Sequence, residues 1–118
     1  FWKSPDVKGA NRVPLQLDSC MPWGGWGYHS KYLPPPECEA VPDATVMGKT
    51  DWRYSSCINR HDGCVNGVFM DYSVRKVGLK ELWTLKWHRQ YDTRGPWTKA
   101  GRVRPEDWPV WMRSFEDY

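Results

Sequence analysis

Cys57, His61 and Cys64 are spaced x3 and x2, and with Cys20 or His29 as a fourth ligand they have the composition of a zinc site. The rival reading starts from all four cysteines, Cys20, Cys38, Cys57 and Cys64, which are even in number and form no Cys-x-x-Cys pair. That pattern suits a disulfide framework better than a zinc ribbon or a redox motif. Three pairings are open; Cys20 with Cys38 and Cys57 with Cys64 are favoured, because each closes a local loop worth about 2.5–3 kcal/mol through restriction of the unfolded chain. His61 and Asp71 are the best acid–base candidates. An active site needs a nucleophile with a base, a carboxylate pair or a metal, and no Gly-x-Ser-x-Gly, His-Glu-x-x-His, P-loop or dinucleotide fingerprint is present. His61 and Asp71 are therefore read as structural, satisfying backbone groups and fixing strand register, and the chain as a non-enzyme with no catalytic residue.

Other polar groups carry weaker signals. Asp18, Asp43, Asp51 and Asp62 have the hard oxygens calcium prefers, but not at EF-hand spacing, so calcium is possible and no other cofactor is implied. His88 reads as a residue near a helix C-terminus. Trp23, Trp26 and Tyr28, with Tyr32 nearby, are crowded among glycines. They either fill the core or form an exposed platform for a sugar ring or a peptide.

The elements that must position these residues follow from composition and period. The 118 residues are one domain's worth of chain, 1–118, expected to bury roughly two thirds of its unfolded surface. Nine Trp, six Tyr and three Phe make the core one of large rings, while ten Gly and ten Pro exclude a helical bundle, a coiled coil or a doubly wound sheet. Seventeen Lys and Arg against fourteen Asp and Glu are interspersed, so no basic stripe points to nucleic acid. No apolar run reaches the roughly 18 residues of a membrane span. Residues 13–18 read as an edge strand with a tolerated Pro. The 21–50 stretch is a long loop. Residues 64–77 read as a β-hairpin turning at Asp71-Tyr72, and the spacing of Leu79, Leu82, Trp83, Lys86 and Trp87 predicts a short helix over 79–88. Pro105-Glu106-Asp107-Trp108 reads as a short helix start, interrupted by Pro109. The fold class is α+β, with a small antiparallel sheet, loop-rich and disulfide-stapled.

The phrase from Asn59 to Arg89 resembles the C-terminal region of the prepilin-type H-x9-DG proteins, pilin-like and type II secretion pseudopilin proteins abundant in planctomycetes and related bacteria. His61, nine intervening residues and Asp71 reproduce the motif, with Tyr72 where the family usually has Gly. The resemblance is closest from 57 to 91; Val7 to Asp18 and the ending Trp108 to Tyr118 also look like these proteins. It implies a head domain with a small antiparallel sheet, carried in the family by a long apolar N-terminal helix that anchors the precursor in the membrane. That helix is not in this chain, which is read as the C-terminal part of such a head. The implied function is structural: a homo-oligomeric filament subunit, extracellular, surface-exposed or periplasmic, with Trp108, Trp111 and the 21–50 loop supplying subunit contacts. The alternative is a cell-envelope carbohydrate- or peptide-binding module using the aromatic 21–32 loop.

Overall fold

Val65, Gly67 and Phe69 alternate with Cys64, Asn66 and Val68, and the period of two places the first set in the core and the second on the opposite face. In the computed structural model, which describes residues 2–20, 31–39 and 52–118, this run is strand β2, Cys64–Phe69. Strand β1 is Pro14–Leu17 and β3 is Val74–Gly78, both antiparallel to β2, giving the sheet order β1-β2-β3. The edge strand and the hairpin thus stand where the sequence puts them. Pro14 opens the edge strand, where a missing N–H costs no ladder bond, and the register shifts between Pro14 and Gln16. A five-residue α-helix, α1, covers Trp52–Ser56.

The inner face of the sheet holds Leu17, Val65, Phe69 and Val77, packed against Leu82, Trp83, Trp108 and Met112. Gly67 makes the packing possible: a Cβ there would meet Leu17 Cδ2 at 2.7 Å. A second, smaller cluster joins Ala10, Val13 and Met70 to Trp2 and Val7, so the lead-in folds over the hairpin tip. On the outer face, residues 115–118 cover one end of the hairpin. Ideal Cβ atoms would come within 2.8 Å of Phe115 at Gly63 and 2.5 Å of Tyr118 at Gly78. Burial, with Glu116 and Glu81 nearby, pushes the Tyr118 hydroxyl up to about 12, and it donates to Glu116. Beside it the buried ammonium of Lys80 pairs with Asp117 at 2.8 Å and lies 5.1 Å from the Trp108 ring centroid.

The outer edge of β3 is guarded. Glu81 accepts the Gly78 N–H and pairs with Arg75 at 2.8 Å, while Arg75 also donates to Lys76 O. These side chains occupy edge groups that would otherwise offer a template for another strand.

Two expectations are corrected. The helix predicted over 79–88 is a five-residue 3-10 segment, Lys80–Thr84, and Leu85 is already extended at φ −75° and ψ 151°. Its apolar spacing buries Leu79, Leu82 and Trp83 in one turn. The chain then leaves the helix because the Lys86 N–H donates to Arg12 O and the Trp87 indole reaches back to Leu82 O. The disulfide staple is absent: none of the four cysteines is in a disulfide. Cys57 is fully buried and belongs to the core cluster, whereas Cys64 belongs to the outer-face set of β2 and is only partly buried. Cys20 packs against the core and Cys38 is exposed. Four thiols are expected to react with Ellman's reagent in denaturant, and in the folded state Cys38 fastest. A titre of zero without reductant would restore the disulfides.

Pro105–Asp107 and Val110–Met112 are short 3-10 turns separated at Pro109, as the prolines require. Pro105 stands in the first turn, and Asp107 accepts the Arg104 N–H.

Candidate functional site

The residues most able to do chemistry lie at the two ends of β2. Leu17 pairs with Gly67, so Asp18 emerges on the outer face opposite Asn66. Asp18 Oδ2 accepts both the Asn66 N–H and its side-chain amide, at 2.9 and 3.0 Å, and Asp18 N–H donates to Asn66 O. His61 closes this cluster. Its Nε2 lies 3.1 Å from Asn66 Nδ2 and 3.5 Å from Asp18 Oδ2. With the ring proton on Nδ1, Nε2 accepts from the amide; with Nε2 protonated, the ring pairs with the carboxylate instead. In both states the cluster ties the segment after β1 to the start of β2.

Asp71 lies beyond the other end of β2, in the turn that leads to β3. It accepts from Ser73 N–H at 3.0 Å and Ser73 Oγ at 2.6 Å, a side-chain turn that closes the hairpin. Those two bonds hold its carboxyl below the usual carboxylate range. Tyr72 follows at φ 63°, in the left-handed region that β-carbon sterics penalise and glycine enters freely. Its ring is largely exposed, so little packing offsets the strain. Tyr72→Gly is therefore expected to stabilise the fold by about 0.5–1 kcal/mol, net of the extra freedom glycine gives the unfolded chain. Urea denaturation checks it, and a loss of stability would contradict the turn geometry.

His61 and Asp71 are thus separate turn-fixing residues and do not form a pair. His61 instead meets Asp18 and Asn66, a grouping the sequence reading missed. Its signal was the register itself: once β1 is set antiparallel to β2 with Leu17 inward, Asp18 must fall beside Asn66. The cysteines form no metal site among the described residues, since no group of three His, Cys, Asp or Glu there is arranged to hold an ion. Burial raises the pKa of Cys20, which keeps it a thiol. Asp18 is held by Asn66, Asp62 is exposed, and Asp43, Asp51, Trp23, Trp26, Tyr28 and His29 lie outside the described residues.

The expectation that Trp108 offers a contact surface is corrected by burial. Its ring is 1% exposed, wedged between Trp83 and Trp97, each 5.5 Å away between centroids. Composition explains this: with few aliphatics, the large rings are drawn inward. Trp111 is half-buried, edge-on to Phe115 at 6.0 Å, and its indole N–H donates to Pro36 O. Among the described residues, the large apolar side chains that do face outward are Leu15, Tyr32, Tyr72, Val74 and Val110.

Among the described residues no helix is long and apolar enough to cross a membrane. Comparison with family models, with curated proteins and with solved structures finds no match to this chain.

Proposed function

We propose that this chain is the head region of a pilin-like filament subunit, a non-catalytic building block that packs against copies of itself or related subunits outside the cytoplasm. One observation carries the reading. Tyr72, which stands where the H-x9-DG proteins usually have Gly, has the left-handed backbone that a glycine would adopt without strain. The phrase that bears the resemblance also builds the hairpin, with His61 at its start and Asp71 at its turn. The extracytoplasmic location rests on the resemblance alone, because the disulfides that argued for an oxidising compartment are not formed.

Subunit contacts in this reading fall on the exposed apolar side chains near the hairpin tip and tail, Leu15, Tyr72, Val74 and Val110, in place of the buried Trp108. The test is to express the gene with its native upstream sequence and label cell-surface material with an antibody to this head. Labelled filaments support the reading. Head protein with its native N-terminus that stays monomeric at every concentration, with no labelled filament, contradicts it.

A further inference from the structure

Leu33-Pro34-Pro35-Pro36 crosses the molecule with neither helix nor strand, yet three aromatic side chains grip its backbone. The Trp83 indole donates to Leu33 O at 2.8 Å, the Tyr54 hydroxyl to Pro34 O at 3.0 Å and the Trp111 indole to Pro36 O at 3.0 Å. The donors come from three separate parts of the chain: α1, the 3-10 segment after β3, and the tail. Pro35 is buried while Pro34 is exposed, so one side of the segment is seated and the other faces solvent. The two ends are fastened independently, by Lys31 to Asp92 at 2.7 Å and by Glu39 accepting the Asn59 N–H at 2.6 Å.

This is the chemistry of polyproline recognition. Proline fixes φ near −65° and pushes its predecessor into the extended region, so Leu33, Pro34 and Pro35 are held in polyproline II geometry before any contact forms. Such a segment has no N–H to offer at its prolines and carries unpaired carbonyls, which a row of indole and phenol donors on an aromatic surface satisfies. Little ordering entropy is lost on docking, and nothing in the contacts requires the segment to be covalently attached to the groove.

We propose that Tyr54, Trp83 and Trp111 form a polyproline-recognition groove in which Leu33–Pro36 is a separable ligand, replaceable by the same segment of a second copy of the chain. The trans complex reproduces every contact of the cis one, so the two differ chiefly in linkage. The tethered segment has an effective concentration in the millimolar range, which favours the cis form for isolated molecules and allows exchange once copies are concentrated. The inference does not depend on the filament reading.

The probe is a fluorescein-labelled peptide spanning Lys31–Glu39, titrated into the full chain carrying Pro34→Gly, Pro35→Gly and Pro36→Gly. Saturable binding is expected, about tenfold or more tighter than to the unmodified chain, whose groove is occupied. Adding Tyr54→Phe and Trp111→Phe removes two donors while leaving aromatic rings, and is expected to weaken binding about tenfold or more. Mixing the triple-glycine chain with a chain carrying only Tyr54→Phe and Trp111→Phe is expected to give a 1:1 heterodimer on concentration. A folded triple-glycine chain that ignores the peptide, or that binds a peptide with Gly for each Pro equally well, overturns the groove; absence of the heterodimer overturns exchange. If the triple variant does not fold, Pro35→Gly alone replaces it. Its melting temperature is then expected to rise with peptide concentration while that of the unmodified chain does not, and the absence of any rise overturns the proposal.

Discussion

Trp83→Ala is expected to cost about 3–5 kcal/mol, a large share of the 5–15 kcal/mol that holds a domain together. Trp83 is 1% exposed and stands edge-on to Trp108 at an interplanar angle of 81°. The Arg53 guanidinium lies 5.5 Å from its ring centroid, and its indole N–H is satisfied by Leu33 O. Removing the ring therefore opens a cavity between sheet and tail, strips a buried cation of an aromatic face and releases the polyproline segment at one of three points. Trp83→Phe keeps much of the volume and loses the donor, so a smaller cost of about 1–3 kcal/mol is expected. Chemical denaturation of the two variants separates these contributions. A loss below about 1 kcal/mol for the alanine variant would mean that Trp83 does not organise the core.

Gly101→Ala is expected to be nearly as damaging, at about 3 kcal/mol, by a mechanism that has nothing to do with cavities. A Cβ on Gly101 would run into Gly95 O and stand 2.9 Å from Pro96 Cα, and both obstacles are backbone. The turn that brings Gly95 and Gly101 together is shut by Thr98, whose buried hydroxyl donates to Gly95 O at 2.7 Å and accepts the Gly101 N–H at 3.1 Å. Relief of the clash must open this turn, which also carries Lys99, whose N–H donates to Tyr118 O. The variant should thus loosen the cover over Gly78 together with the turn, visible as faster amide exchange at Lys99 and Gly101. Unchanged stability and exchange would contradict the close approach.

The parts of the fold legible in the sequence are those with a local rule behind them. Val65, Gly67 and Phe69 alternate with Cys64, Asn66 and Val68 in burial, and the short run bounded by turn residues reads as a strand. Pro14 marks an edge, and Pro105 and Pro109 bound two short turns, because a missing N–H and a fixed φ act wherever they occur. The 79–88 segment failed because Leu79, Leu82 and Trp83 satisfy a single 3-10 turn as well as an α-helix. The decision belongs to Lys86 and Arg12, more than seventy positions apart. The cysteines failed for the same reason: loop length favours a Cys57–Cys64 bridge, but only strand register shows that Cys64 faces away from the core. The buried Lys80 left no mark, since its partner Asp117 comes from the tail. Pro34-Pro35-Pro36 was readable as irregular chain, but its donors Tyr54, Trp83 and Trp111 become neighbours only after folding.

The candidate site divides in the same way. Motif spacing named His61 and Asp71 as structural residues; in the fold their hydrogen-bond partners are different ones. Asp18 and Asn66 receive His61 on β2, and Asp71 accepts from Ser73 in the turn beyond it. A reaction or a bound ligand shared between them would require adjacency.

A double-mutant cycle on His61→Ala and Asp71→Ala, read by urea denaturation, tests this division of labour most directly. The two losses should add, with a coupling energy below about 0.5 kcal/mol, as for sites with no shared partner. A coupling above about 1 kcal/mol would place both side chains in one interacting unit and contradict the scaffold account.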